Sequence, residues 1–123
     1  MASHNDLGAW GEGIARDFLL AKGYAIGEVN LKVGNYEIDF IARKDDRIVF
    51  VEVKTRSSRS VDPLAAVDAR KIRRLVRAAD EYILSRDIKL EPQFDIITVV
   101  GSEAGYEVEH FADAFYPPLM SYR

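Results

Sequence analysis

Two carboxylates and a lysine fall on two segments that the sequence predicts to form a β-hairpin. Residues 36–43 and 47–55 are rich in Val, Ile and Phe, and three polar residues suited to a tight turn separate them. If the turn is centred on residues 45 and 46, Asp39 lies directly across from Glu52. Two carboxylates in this position repel each other, and burial makes an unpaired charge more costly. We therefore expect a counter-charge beside them.

Two kinds of counter-charge could neutralise this pair. Lys54, which the same register places across from Glu37, can neutralise one carboxylate. A divalent cation can neutralise both, and Mg²⁺ prefers carboxylate oxygens and water as ligands. A metal held in this way polarises a phosphodiester and lowers the pKa of bound water, and a nearby cation stabilises developing charge. Alternatively, Glu37 and Lys54 form an ordinary ion pair, while Asp39 and Glu52 lie exposed at the margin of the sheet. Hairpin geometry does not decide between the two.

The alternation of side chains divides the predicted hairpin into two faces. One face is wholly apolar and comprises Ile38, Phe40, Ala42, Val49, Val51 and Val53. The other face is apolar near the turn and charged away from it, and it comprises Glu37, Asp39, Ile41, Phe50, Glu52 and Lys54. We therefore expect the chemistry at the charged end of the second face.

The segments around the hairpin predict an α/β domain. Apolar residues recur at helical spacing from Leu7 to Phe18, and Gly23 is suited to end that helix. The predicted elements in order are a helix over residues 6–22, strands over 24–33, 36–43 and 47–55, a helix over 63–86, and strands over 93–100 and 106–111. Because a strand–helix–strand connection favours parallel pairing, we expect an α/β sandwich whose mixed five-stranded sheet is flanked by helices.

Length and composition limit the class of protein. The 123 residues are 48% hydrophobic and 30% charged, which is typical of one globular domain over residues 1–123 and argues against disorder. No apolar run approaches the roughly 20 residues that a membrane span needs, and no basic-then-apolar leader opens the chain. The absence of Cys excludes disulfides, a thiolate metal site and a Cys nucleophile. We expect a cytoplasmic protein with no membrane partner.

A basic segment interrupts an otherwise acidic chain. The net charge is −3, yet residues 54–77 carry eight Lys or Arg and only two Asp. A concentrated positive patch of this kind favours phosphate binding, and so a nucleic-acid partner. Arg56 and Arg59 are the strongest candidates, because they follow Lys54 in a polar, Ser-rich loop and loops often carry binding residues.

The predicted second helix continues the positive charge. Its basic stripe comprises Arg70, Arg73, Arg74 and Arg77. Such a stripe could follow a phosphate backbone and add salt-dependent affinity, although a solvated helix face explains most of these residues as well. We keep Arg74 as a candidate nucleic-acid contact. Lys71 fits a substrate contact and an ion pair equally.

The hairpin residues resemble the signature of a group of nucleases. Glu37-Ile38-Asp39 and Glu52-Val53-Lys54 are similar to the PD-(D/E)XK motif, with Glu37 where the motif's name has Pro. The chain resembles more closely the YraN-type family of small bacterial endonuclease-like proteins and, at greater distance, archaeal Holliday-junction resolvases. Further residues that carry this resemblance are Gly11-Glu12, Ala15, Leu20 to Tyr24, Asn30, Ile41-Ala42-Arg43, Val49 to Arg56, Pro63, Ala66-Val67, Lys71, Phe94-Asp95, Val108 and Ala114-Phe115.

The resemblance implies a fold, an activity and a role for each motif residue. The fold is a restriction-endonuclease-like three-layer sandwich. The activity is Mg²⁺-dependent endonuclease cleavage of DNA, including branched or junction DNA, with Mn²⁺ as a substitute. Asp39 and Glu52 would ligate the metal, with the Val53 carbonyl as a further ligand. Lys54 would orient the attacking water or stabilise charge on the phosphorane, and Glu12 would complete the site. Resolvase-like relatives act as dimers, so the resemblance is compatible with a homodimer.

Two other functions fit the same residues. A nucleic-acid-binding module could keep the fold without turnover, and a structural or interaction domain could hold its carboxylates in ion pairs. Glu12 also has an alternative partner, because Arg16 lies one helical turn away. Three outcomes separate these functions. An endonuclease cleaves DNA in a metal-dependent way, a binding module binds it in a salt-sensitive way without cleavage, and a structural or interaction domain does neither.

Four further residues carry weaker signals. Asp95 lies in an apolar run and could cap an edge, pair with an Arg or support the site, and the sequence does not choose among these roles. His4 and His110 lack the spacing of metal ligands. Trp10 is expected to pack in the core, since the basic segment lacks the interleaved aromatic residues typical of single-strand binding.

Overall fold

The computed structural model describes residues 4–58 and 69–115. Its helices and strands are α1 (His4–Ala21), β1 (Ala25–Val33), β2 (Tyr36–Lys44), β3 (Arg47–Arg56), α2 (Ala69–Ser85), β4 (Glu91–Ser102) and β5 (Gly105–Phe111). Each predicted element is present, and the ends that lie within the described residues are close to their predicted positions. The first part of the predicted second helix, from Pro63, and the candidate contact Arg59 lie outside the described residues.

The described strands form one mixed sheet between two helical layers. The strand order is β1-β2-β3-β4-β5. β3 and β4 are parallel and are connected through α2, whereas the other neighbouring strands are antiparallel. The buried residues of α1 and α2 belong to separate core clusters, one on each face of the sheet. This three-layer α/β sandwich has a restriction-endonuclease-like fold and confirms the predicted fold class.

The two core clusters show how the strands present their side chains. The cluster beneath α2 includes Ile38, Ile41, Ile48, Phe50, Leu75, Tyr82 and Phe94. The cluster beneath α1 includes Ala15, Leu19, Tyr24, Phe40, Ala42, Val49, Val51, Ile97 and Val99, with Val53 packed against it. The predicted apolar face of the hairpin therefore lies against α1, with one correction. Ile38 belongs instead to the cluster beneath α2, and it lies beyond Phe40, where the pairing of β2 with β3 ends.

α1 is held over the sheet by its packing and by a tight C-terminal turn. The N–H of Tyr24 donates to the carbonyl of Leu19 at 3.0 Å, and the N–H of Gly23 donates to the carbonyl of Leu20 at 3.0 Å. This is the hydrogen-bond pattern of a Schellman motif, and Gly23 accommodates its φ of 91°. Trp10 packs against the α1 core cluster, as predicted. Neither helix in the described part of the chain is long and apolar enough to cross a membrane.

Candidate functional site

The β2–β3 hairpin has the register that the turn predicts, but its ladder stops before the carboxylates. The paired positions run from Lys44 and Arg47 to Phe40 and Val51. Beyond this point the Val53 N–H donates to Oδ2 of Asp39 at 2.7 Å, so a side chain takes the place of a backbone partner. The carboxylate of Asp39 is therefore held against the backbone of β3, one residue from Glu52.

The predicted pairing of Glu37 with Lys54 is wrong. Glu37 is exposed and lies in register with Lys32 of β1. The Lys54 ammonium instead lies 3.3 Å from Oε2 of Glu52, and the side chains of both residues are 11% exposed. The backbone pairing of β2 with β3 ends at Phe40 and Val51, and beyond this point Lys54 pairs with the acidic residue of its own strand rather than with Glu37 on β2.

Glu52 is almost fully buried and is bonded through both oxygens. Its Oε1 accepts a hydrogen bond from the hydroxyl of Tyr36 at 2.9 Å, and its Oε2 faces Lys54. Burial, followed by the negative charge of Glu52, raises the pKa of Tyr36. The phenol therefore remains a donor, and the ammonium and the phenol fix the orientation of the Glu52 carboxylate.

The pKa of Asp39 is the one most affected by the proximity of the two carboxylates. Burial, with the charge of Glu52 as the next cause, raises the pKa of Asp39 from 3.8 to about 7. The Val53 N–H and the Lys54 ammonium oppose the increase, and the Glu12 charge adds to it. A single ammonium does not offset two neighbouring carboxylates, which is the repulsion that the sequence predicted.

Glu12 reaches the site from α1, which lies very close to β3 at this point. A Cβ on Gly11 would collide with the side chain of Thr55, so only glycine permits this approach. The side-chain amide of Asn30 donates to Oε1 of Glu12 at 3.0 Å. Arg16, the alternative partner, pairs with Asp17 at 3.7 Å. Glu12 therefore faces the site.

A cleft of about 170 Å³ lies between the first turns of α1 and the end of β3. Glu12, Lys54 and Arg56 line it, together with Val53 and Thr55. Arg56 donates to the carbonyl of Thr55 at 2.9 Å. The cleft thus brings together three of the predicted site residues, one acidic and two basic. Asp39 is adjacent to it, because Asp39 accepts a hydrogen bond from Val53, which lines the cleft.

The donor set for a metal is small. Within residues 4–58 and 69–115, no three His, Cys, Asp or Glu side chains are grouped as metal ligands. Asp39 and Glu52 supply two carboxylates. Since the N–H and C=O of one strand residue point to the same side, the Val53 carbonyl is directed to the same side as the N–H that binds Asp39. Two carboxylates, a carbonyl and water form the kind of oxygen ligand set that Mg²⁺ accepts.

The remaining candidate contacts lie on α2. Arg74 is exposed and lines a second cleft, which also contains Tyr36 and Arg77. Lys71 is half-buried near the start of the helix. The structure therefore brings Arg74 close to the site through Tyr36.

Sequence reasoning missed the role of Tyr36 and the environment of Asp95. Asp95 is fully buried and accepts hydrogen bonds from four donors: Tyr24 at 2.9 Å, Gln93 at 2.8 Å, Nε2 of His110 at 2.7 Å and the Asp113 N–H at 2.9 Å. Burial opposes ionisation, but these bonds, led by that of His110, lower the pKa of Asp95 overall.

This network also fixes the form of His110. Lys22 Nζ, which can only donate, lies 3.2 Å from Nδ1 of His110. Nδ1 therefore accepts and Nε2 carries the proton that is shared with Asp95. The network joins the end of α1 to β4 and β5, and Asp95 pairs with a histidine rather than an arginine.

The fold and the site define a small restriction-endonuclease-like α/β domain with an acidic pair and a lysine beside its central hairpin. The model of the uncharacterised protein family UPF0102 matches residues 11–99. The chain belongs to this family, which is the YraN-type family that the motif series resembles.

Curated relatives match along almost their entire length. The UPF0102 protein of Bacteroides thetaiotaomicron is 46% identical over 121 residues, covering 98% of this chain and 100% of the relative. The UPF0102 protein FP2501 of Flavobacterium psychrophilum is 49% identical over 117 residues, covering 94% and 98%. The UPF0102 protein of Parabacteroides distasonis is 45% identical over 119 residues, covering 96% and 98%. These names state a family and no activity.

Proposed function

We propose that the protein is a Mg²⁺-dependent endonuclease that hydrolyses phosphodiester bonds in DNA, with branched or junction DNA as candidate substrates. The observation that carries this proposal is the placement of Asp39 beside Glu52, with the Lys54 ammonium 3.3 Å from Glu52. Two adjacent carboxylates and one lysine carry one more negative than positive charge when both carboxylates are ionised. A divalent cation is the counter-charge that suits both.

The residues present fit Mg²⁺, and Mn²⁺ as a substitute. Asp39 and Glu52 would hold the ion, with the Val53 carbonyl as a further oxygen ligand. The raised pKa of Asp39 supports this, because its first causes are burial and the charge of Glu52, and a bound cation offsets both. When bound, the metal would polarise the phosphodiester and lower the pKa of an attacking water.

The protein's own groups would perform the other tasks. Lys54 neutralises Glu52 in the metal-free protein and, once a cation takes over that charge, can stabilise the charge that develops on the phosphate. Tyr36 keeps Glu52 oriented through its hydrogen bond. Glu12, fixed by Asn30, would hold a proton or a water at the edge of the cleft.

The nucleic acid would be held by positively charged side chains. Arg56 lines the cleft itself, and Arg59, Lys71 and Arg74 are further candidate contacts with phosphate. Replacing any one of these side chains with a neutral one would weaken binding and reduce its salt dependence. A homodimer would enlarge the limited surface of a domain of this size, and we place the activity in the cytoplasm.

The test is a cleavage assay with Mg²⁺ or Mn²⁺ on linear duplex, single-stranded and four-way junction DNA. The wild-type protein should cut at least one of these, whereas Asp39→Asn and Lys54→Met should not. Glu37→Gln is the matched control, because Glu37 is an exposed carboxylate two residues from Asp39 on the same strand. Equal cleavage by wild type and Asp39→Asn would contradict the proposal.

A second candidate is a nucleic-acid-binding domain without turnover. It is favoured by the partners that Glu52 already has, since Tyr36 and Lys54 occupy both of its oxygens. This function predicts DNA binding that weakens with salt and in Arg56→Gln, with no cleavage under any metal. If the protein neither bound DNA nor gained heat stability from Mn²⁺, only a structural or interaction domain would remain.

A further inference from the structure

A second cleft, of about 410 Å³, lies between the β1–β2 turn and α2. Gly34, Asn35 and Tyr36 form one wall, and Arg74, Arg77 and Glu81 are on the helical wall. We call it the α2 cleft. The hydroxyl of Tyr36 donates to Glu52, so a single side chain separates this cleft from the candidate catalytic carboxylate.

The charged side chains that line the α2 cleft are two arginines and one glutamate, so its lining has a net positive charge. Arg74 and Arg77 are exposed and lie on successive turns of α2, and within the described parts of the chain neither has a carboxylate at ion-pair distance. The positive charge of Arg74 acts on the Tyr36 hydroxyl, where it opposes the increase in pKa that burial and Glu52 cause. Glu81 lies at the other end, near Gly34.

The chemistry of these groups favours a phosphate. The planar guanidinium group binds phosphate oxygens through paired N–H donors, and two such groups one turn apart can share one anion. The side-chain amide of Asn35 provides a further donor on the opposite wall. Two exposed arginines alone would be explained by a solvated helix face, but here they line a concave space next to Glu52.

We propose that the α2 cleft is a phosphate-binding subsite that holds a phosphodiester of the nucleic-acid strand adjacent to the one placed at Asp39 and Glu52. The identity of the ligand as a nucleic-acid strand rests on the proposed function. The strand would extend from the Arg56 cleft past Glu52 to Arg74 and Arg77. This assigns Arg77 and Asn35 to binding, in addition to Arg74.

The first experiment locates the bound phosphate without requiring cleavage. ¹⁵N-labelled protein in excess EDTA is titrated with a short DNA duplex while the side-chain resonances of Arg74, Arg77 and Asn35 are followed by NMR. A separate titration uses inorganic phosphate alone. Shifts of these resonances with DNA support the subsite. Shifts with inorganic phosphate but not with DNA would overturn it, since the cleft would then bind a free anion, and an absence of shifts with either would also overturn it.

The second experiment separates the cleft from the general charge of the helix. Arg74→Gln/Arg77→Gln should reduce the slope of log K against log salt by about 0.9 for each phosphate that is no longer neutralised. Arg70→Gln/Arg73→Gln removes the same charge from the same helix outside the cleft and should leave the slope unchanged. Equal reductions of the slope in the two double variants would overturn the subsite.

These outcomes are independent of the outcome for the endonuclease. If the α2 cleft binds DNA but no metal supports cleavage, the subsite stands and the proposed activity fails. If the protein cleaves DNA but the two double variants bind DNA alike, the activity stands and the subsite fails.

Discussion

Replacement of Asp39 by Asn tests the electrostatic cost that the candidate site imposes on the fold. In the metal-free protein the pKa of Asp39 is raised from 3.8 to about 7. The folded state therefore keeps a proton that the unfolded chain releases near about pH 4. The stability contributed by this proton is fully present below about pH 4 and is lost as the pH rises through about 7.

The size of the effect follows from the same shift. About three pKa units at about 1.4 kcal/mol each correspond to about 4 kcal/mol. Because Asp39 is only partly buried, solvent screens part of this energy, and we expect a measured loss of about 1 to 2 kcal/mol. The variant should escape this loss, since its amide oxygen can still accept the Val53 N–H and carries no charge.

The assay is urea denaturation of wild type, Asp39→Asn and Glu37→Gln in EDTA between about pH 4 and about pH 8. Asp39→Asn should gain stability relative to wild type as the pH rises, whereas Glu37→Gln, which alters an exposed carboxyl on the same strand, should not. Added Mg²⁺ should stabilise wild type and not Asp39→Asn. If the free energies of unfolding of wild type and Asp39→Asn differed by the same amount at every pH, the raised pKa of Asp39 would be refuted.

The remaining predictions concern the packing of the first helix, the buried aspartate and the lysine. Gly11→Ala places a methyl group against Thr55 and should cost about 1–3 kcal/mol in urea denaturation, whereas Gly8→Ala, with open space around the added carbon, should cost nothing; equal effects would contradict the close approach. Asp95→Asn should destabilise the protein by about 1–3 kcal/mol, because four donors lose a charged acceptor. Since the pKa of Asp95 is lowered, this advantage of wild type should be present above about pH 4 and disappear in more acidic solution; an advantage that persists in acid would refute this assignment. Lys54→Gln should reduce the cleavage rate about 100-fold or more while Mg²⁺ still raises the melting temperature, and wild-type cleavage by this variant would exclude the proposed role.

The hairpin shows what local sequence information can predict. Turn residues at 45 and 46 and the alternation of apolar residues set the register, and the pairing of Ile41 with Phe50 confirms it. The point where the ladder ends could not be predicted. It depends on a side chain, Asp39, taking the N–H of Val53, and no periodicity in the sequence marks that exchange.

Contacts between side chains on distant elements were the other feature that could not be predicted from the sequence. Asn30 of β1 donates a hydrogen bond to Glu12 of α1. Both residues belong to the family resemblance, but nothing in their spacing predicted that they would be in contact. Tyr24, Asp95 and His110 are far apart in the chain, and the β4–β5 pairing and the turn after α1 bring them together. A lone histidine without metal-ligand spacing gave no reason to expect this network.

The central claim is that Asp39 and Glu52 share a divalent cation, and a crystal of the protein soaked in Mn²⁺, compared with a metal-free crystal, tests it most directly. The proposal predicts an anomalous density peak in contact with both carboxylates and the Val53 carbonyl, with the Lys54 ammonium moved away from Glu52. Carboxylates without a peak, with Glu52 still bonded to Tyr36 and Lys54 at saturating Mn²⁺, would contradict it.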